Sequence, residues 1–267
     1  MAKPTVLVLR APGTNCDEET AYAFEQAGAN VERIHVNRLV ESPECGSDFQ
    51  ILCFPGGFSY GDDIAAGRIL AQRLNVHLSD LVNSFRESDR LVLGICNGFQ
   101  VMMRLGIFFP KSHYQDADEK PPATLTWNQQ ARFEDRWVNL KCAADNPSPF
   151  LTGIESMYLP MAHAEGRFVG AGDEALDQLR NNNQLCLAYS TENGETGDET
   201  LPFPVNPNGA DRNVAGICDP SGRIFGLMPH PERHIDPTHH PAWTRRDSQP
   251  SEGEGLQVFR NAVNYFG

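Results

Sequence analysis

Leu91-Val92-Leu93-Gly94-Ile95-Cys96-Asn97-Gly98-Phe99-Gln100 is the stretch on which the reading of this chain turns. Its apolar first half predicts a buried strand. Phe99, Val101, Met102 and Leu105 then recur at helical spacing. Cys96 therefore falls on a sharp strand-to-helix turn, with a glycine two positions to either side permitting a backbone that most residues resist. This is the layout of a nucleophile elbow, with sulfur in place of a serine hydroxyl. The positive end of the helix dipole favours negative charge on that sulfur. A core cysteine at a strand end is the competing reading, and the paired glycines weigh against it.

Outward from this stretch, the first half of the chain alternates between two periods. Thr5 to Leu9 reads as a strand. Asn15 and Glu18 have the spacing of a capping box before a helix that runs to about Ala27 and stops at Gly28. Val31 to Val36 and Ile51 to Phe54 read as strands, and Ile64 to Leu74 and Val76 to Phe85 as helices. Such alternation predicts an α/β fold with a mostly parallel sheet covered by helices on both faces, and sites at the carboxyl ends of its strands. Cys96 and the loop beginning at Pro55 both fall there.

Beyond Pro110 the texture changes. Lys111 to Pro122 is polar and proline-bounded, as a surface loop is. Arg132-Phe133, Trp137 to Lys141, Met157 to His163, Gln184 to Tyr189, Val214 to Cys218 and Arg223 to Met228 read as an antiparallel extension. Asp219-Pro220-Ser221-Gly222 is a turn joining the last two as a hairpin. Thr191 to Asn213 and Asp236 to Gly255 are rich in Pro, Gly and charge and predict long loops, and Leu256 to Phe266 predicts an amphipathic helix. No repeat or linker divides the chain, so residues 1–267 are read as one elaborated domain.

Composition sets the bounds. With 267 residues, 40% of them hydrophobic, the chain can bury a full core. It holds no apolar run near the roughly 20 residues of a membrane span. Met1-Ala2-Lys3-Pro4 runs straight into the first strand, leaving no room for a signal peptide. The seven cysteines are an odd, scattered set without CxxC spacing, which gives neither a disulfide framework nor a zinc signature and fits a reduced, cytoplasmic setting. A net charge of -13 argues against nonspecific nucleic-acid binding.

A cysteine nucleophile needs a base, a group that orients the base, and oxyanion donors. In Gly226-Leu227-Met228-Pro229-His230-Pro231-Glu232-Arg233, His230 follows a predicted strand between two prolines that restrict its backbone. Glu232 can accept from the ring N–H and fix the tautomer, as the acid of a Ser-His-Asp triad does. His230, His234, His239 and His240 could instead be read as metal ligands. No helix sets their spacing, and His239-His240 lie in a proline-rich loop, so no metal is assigned. Pro55-Gly56-Gly57-Phe58 follows a buried strand and can turn backbone N–H groups into the site. The N–H of Asn97 is the second candidate donor. The chemistry implied is acyl transfer through a cysteinyl thioester.

Gly94-x-Cys96-x-Gly98-x-Gln100 followed by His230-Pro231-Glu232 resembles the triad-type, class I glutamine amidotransferases over nearly the whole chain. Three more selective segments, Pro55 to Asp62, Gly94 to Gln100 and His163 to Phe168, resemble the glutaminase subunits of phosphoribosylformylglycinamidine synthase. The opening Arg10 to Asp17, with its Pro-Gly-x-Asn-x-Asp, agrees. The resemblance implies a flavodoxin-like fold, with Cys96 as nucleophile, His230 as acid/base and Glu232 as its orienter. It implies Gly57 and Asn97 as oxyanion donors, and Gly56, Gly98, Gln100, His163 and Glu165 around the glutamine. It also implies no cofactor on this chain. ATP and Mg are expected on a synthetase partner, with a small bridging subunit as a further candidate, and the chain itself has no Walker-type run. Lys111–Pro122, Gly170–Gly209 and Asp236–Gly255 read as extra length for this family. The alternative is a cysteine hydrolase or stress-type protein of the same fold that acts without a partner.

Overall fold

The computed structural model describes residues 3–109, 121–246 and 250–267. The chain opens as β1 (Thr5–Arg10), α1 (Asp17–Gln26), β2 (Asn30–His35), α2 (Val36–Glu41), β3 (Ile51–Phe54), α3 (Arg68–His77), α4 (Ser79–Arg86), β4 (Leu91–Ile95) and α5 (Asn97–Leu105). It continues as β5 (Ala123–Thr126), β6 (Glu134–Cys142), β7 (Ser156–His163), β8 (Arg167–Gly170), α6 (Asp173–Asn181), β9 (Leu187–Ser190), β10 (Val214–Cys218), β11 (Ile224–Leu227) and α7 (Leu256–Asn264).

Among the described residues, nine strands form one sheet in the order β2-β1-β3-β4-β11-β10-β9-β6-β7. The first five are parallel. The remaining pairings are antiparallel, so the extension read from the sequence continues the same sheet. Every residue of β3 and β4 is buried, which is why both read as unbroken apolar runs: a parallel strand covered on both faces has no solvent side to mark with polar residues. Among the flanking helices, α1 meets α7 through an edge-on contact of Phe24 and Phe259, with ring centroids 4.9 Å apart. β7 alternates between more and less buried positions, as a strand with one better-covered face does. β5 and β8 pair as a separate two-stranded sheet.

Several expectations need correction. α1 begins at Asp17 with Cys16 at its N-cap and no side-chain cap. Asn15 and Glu18 form no capping box: the Asn15 Oδ1 accepts from the Cys16 thiol and Glu18 pairs with Arg33. Residues 64–67 are not helical, because Ile64 (φ 73°) and Gly67 (φ 71°) turn the chain before α3 starts. Val36 opens α2 instead of closing β2. Arg132-Phe133 stays outside β6, where Arg132 pairs with Glu134. β8 and α6 occupy stretches to which the sequence assigns no element; α6 is short, and its apolar positions reduce to a narrow stripe around Leu176 and Leu179. The Asp219–Gly222 hairpin turn, α7, and the irregular 191–210 segment are as read. The reading of Lys111–Pro122 falls mostly outside the described residues.

The elbow depends on two close approaches. A Cβ on Gly98 would lie 1.8 Å from the Phe54 carbonyl oxygen, so α5 rests directly on the end of β3. A Cβ on Gly94 would lie 2.3 Å from the Met102 sulfur and 3.0 Å from the Gly98 backbone. The thioether is a flexible chain end; the Phe54 carbonyl is backbone and cannot step aside. Gly98→Ala is therefore expected to destabilise the chain by about 3 kcal/mol or more and Gly94→Ala by less. Urea unfolding of the two variants side by side tests the order, and equal stabilities would show that α5 does not rest on β3 as described.

Candidate active site

The parallel pairing of β11 with β4 brings the two ends of the chain's chemistry together. Leu227 lies opposite Ile95, so Cys96 and Met228 leave the sheet side by side, and the Cys96 N–H donates to the Leu227 carbonyl at 2.8 Å. Cys96 adopts φ 50°, ψ -106°, a conformation that costs about 1–3 kcal/mol for a non-glycine residue. The buried strand before it and the helix after it over-determine that turn. Its sulfur is directed at the Ala162 carbonyl, 3.6 Å away, and the residue is 4% exposed.

His230 is fixed through its backbone N–H, which donates to the Pro160 carbonyl at 2.8 Å, and through Nδ1, which lies 2.6 Å from the Glu232 Oε1. Both side chains are buried. Nδ1 therefore donates to the carboxylate, leaving Nε2 as the basic nitrogen, and Nε2 has no aligned hydrogen-bond partner. Burial works against charge on this ring. The Glu232 carboxylate, together with the Cys96 and Cys16 sulfurs, more than offsets it and holds His230 well above the usual histidine range. His163, also buried, goes the other way. Burial, with repulsion from His230, pushes it down to about 3, so it is neutral at every ordinary pH.

A second network braces the loop after β3. Asn97 accepts the Ser59 N–H on Oδ1 (3.1 Å), and its Nδ2 donates to Asp62 (3.1 Å) and to the Gln100 Oε1 (3.0 Å). Gln100 Nε2 donates to the Glu165 carbonyl (2.8 Å), and the Glu165 carboxylate accepts the Ala66 N–H (3.2 Å). The loop after β3, the start of α5 and the turn after β7 thus hold one another. Burial, reinforced by the nearby Glu165, pushes Asp62 up to about 6. Gly57 (φ 137°) is a position for glycine alone, since a Cβ would lie 2.7 Å from the Asn15 nitrogen. Asn97, as the first residue of α5, has a backbone N–H with no intrahelical acceptor.

The structure brings Cys96, His230, Glu232, Gly56, Gly57, Asn97, Gly98, Gln100, His163 and Glu165 to one end of the parallel sheet. It also shows that several are occupied. Both ends of the Gln100 amide have protein partners, and the Glu165 carboxylate is engaged as above. His163 donates from Nδ1 to Asn128 and packs under Gly166, where a Cβ would meet its ring at 2.1 Å. Sequence reasoning missed Asn128, which also binds the His163 carbonyl and the Gly166 N–H and so shapes the whole His163–Gly166 turn. It gave no role to Cys16 or Arg233 either. Arg233 joins the Cys16 sulfur (3.2 Å) to Glu19 (2.7 Å), tying α1 to the His-Pro-Glu-Arg segment. A lone asparagine and a contact spanning 217 residues leave no local pattern to read.

Comparison with known proteins decides the family: residues 3–266 match the CobB/CobQ-like glutamine amidotransferase domain. The chain belongs to this family. As a member of it, the chain is 43% identical to the phosphoribosylformylglycinamidine synthase subunit PurQ of Dehalococcoides mccartyi, over 99% of this chain and 98% of that one. It is 40% identical to PurQ of Methanococcus maripaludis, over 98% and 97%. A solved PurLQS structure from Thermotoga maritima superposes with a TM-score of 0.71 at 26% identity, covering 100% of both chains. The near-complete coverage also corrects one expectation: these glutamine amidotransferase relatives share the length that read as extra.

Two histidines with opposite biases give a pH signature. The folded state keeps the His230 proton to higher pH than the unfolded chain does, so its contribution stabilises the fold below about pH 6.5 and is lost as pH rises through the folded value. For His163 the sign reverses, and stability is lost as pH falls from about 6.5 toward 3. Histidine-resolved NMR titration is expected to show His230 titrating on the alkaline side of the ordinary range, moving down in Glu232→Gln. His163 is expected to stay neutral from pH 5 to 8, a range about the ordinary histidine value. Glutamine turnover in Glu232→Gln is expected to fall by roughly two to four orders of magnitude. A His230 titration that ignores the substitution would remove Glu232 from the triad.

Proposed function

We propose that this chain is the glutaminase subunit of phosphoribosylformylglycinamidine synthase, releasing ammonia from glutamine for a synthetase partner. The observation that carries the reading is the convergence of Cys96, His230 and Glu232 at the ends of two adjacent parallel strands. The Cys96 thiol passes its proton to Nε2 of His230, and the sulfur attacks the carboxamide carbon of glutamine. The N–H groups of Gly57 and Asn97 receive the oxyanion. The imidazolium protonates the leaving nitrogen, ammonia departs, and a thioester remains. His230 then deprotonates the water that cleaves it to glutamate, restoring the thiol. Gly56 and Gly98 keep the floor of the site free of side chains. Gln100, His163 and Glu165 hold the walls of the glutamine pocket through the network above.

The destination of the nitrogen is the conversion of formylglycinamide ribonucleotide to formylglycinamidine ribonucleotide in purine biosynthesis. ATP and Mg belong to the synthetase in this scheme. In this scheme the assembly comprises a synthetase and a small bridging subunit beside this chain. Two features support a partner-dependent enzyme. The nucleophile is nearly closed off, and apolar side chains stand exposed on the oxyanion loop and beside it: Phe58, Ile64 (79% exposed), and Phe133 stacked on Phe58 at 6.3 Å. A partner seated there would cover them and move the loop that hides Cys96. A partner-independent hydrolase leaves these side chains unexplained.

Cys96→Ala is expected to abolish glutamine-dependent synthesis while ammonia-dependent synthesis by the complex continues. Glutamine turnover by the isolated wild-type chain is expected to rise at least about tenfold when the synthetase is added. Unchanged turnover in Cys96→Ala would sink the assignment.

A further inference from the structure

Cys16 takes no part in the thioester cycle, yet it is 1% exposed and lies against the catalytic imidazole. One ligand atom each from Cys16, His230 and Glu232 lies within 4.8 Å of the other two, and among the described residues this is the group of three that converges so closely. Gly56 backs the group. A Cβ there would lie 2.8 Å from the His230 Cε1, 3.0 Å from the Cys16 sulfur and 3.4 Å from Nδ1, so the glycine keeps that edge of the ring clear. Glu232 uses Oε1 on the imidazole, while its buried Oε2 has no hydrogen-bond partner.

We propose that Cys16, His230 and Glu232 form a three-ligand site for a thiophilic divalent cation, zinc above all, which shuts off the nucleophile's base. Thiolate, imidazole and carboxylate are the donors zinc takes. With Zn–S about 2.3 Å and Zn–N and Zn–O about 2.0–2.2 Å, tetrahedral ligand atoms stand roughly 3.3–3.8 Å apart. Shifts of about an ångström at each side chain bring this group into that range, and water fills the fourth position. On binding, the Cys16 thiol loses its proton to solvent and forms the Zn–S bond. The Nδ1 proton that now faces Glu232 also leaves to solvent, so the Nδ1 lone pair goes to the metal and the ring keeps a single proton, on Nε2. No electron is transferred. A ring in that state has no lone pair with which to take the Cys96 proton. Arg233 opposes the cation, but it is already paired with Glu19 and is 38% exposed, so it can withdraw from the sulfur.

The inhibition rests on the glutaminase reading; the binding does not, and the two are measured separately. Zinc affinity of the full chain is measured by competition with a chromophoric chelator. The expected result is one zinc per chain in wild type, the same within about threefold in Cys96→Ala, and at least about tenfold weaker in Cys16→Ser. Cobalt-loaded Cys96→Ala is expected to show thiolate-to-metal charge transfer, and zinc-edge X-ray absorption of that variant one sulfur and an imidazole in the shell. These two readouts decide the matter even where Cys16→Ser fails to fold. Unchanged affinity in Cys16→Ser, loss of the site in Cys96→Ala, a shell without sulfur, or no binding at about 100 μM zinc, an affinity of only about 5 kcal/mol, would each overturn the proposal. Zinc binding in a chain that hydrolyses no glutamine with its synthetase would instead count against the glutaminase reading alone.

Discussion

The parallel pairing of β4 with β11 sets the position of everything else in the site. Its register places Leu227 beside Ile95, so the chain leaves the sheet at Cys96 and at Met228 on the same level. His230 follows within two residues, held by the Pro160 carbonyl from β7. A slip of one residue in this pairing would turn alternate side chains to the opposite face and separate nucleophile from base. The burial of all of β4 and β11 resists such a slip, because it would require repacking both faces of the sheet at once.

On this frame the site is built by three cross-connections of long sequence range. Asn97, Gln100 and Glu165 join the elbow helix to the turn after β7. Asn128 shapes that turn from outside. Arg233 and Cys16 join α1 to the acid/base segment. Each places a polar group in a buried setting where an unmet partner costs about 1–3 kcal/mol, so each network holds as a unit. Under the same burial, the opposite biases of His230 and His163 come from their partners. One ring has a carboxylate at 2.6 Å and the other a neutral amide at 3.1 Å. The closed thiol and the apolar rim of the loop after β3 are the features from which a partner-dependent turnover is proposed.

Much of this was legible in the sequence because the relevant signals are local. Gly94-Ile95-Cys96-Asn97-Gly98 announces its turn through steric demands that act within five residues, and β3 and β4 announce their burial through unbroken apolar runs. His230-Pro231-Glu232 carries its own acid and base two residues apart. The Asn15/Glu18 capping box fails because Asn15 and Glu18 each find other partners, the Cys16 thiol and Arg33. α6 and β8 escape a local reading because α6 carries so few apolar residues and β8 fully buries only Phe168.

The sequence by itself determined the α/β alternation, the elbow and the three side chains proposed to react, since each is written in residues that are neighbours along the chain. Tertiary structure alone decided which strands pair, that Gln100 and Glu165 spend their polar groups on the protein, and that Cys16 meets His230 across more than two hundred residues. Those facts depend on which distant segments the burial of apolar surface brings into contact, and nothing in a local stretch of sequence records the partner it will meet.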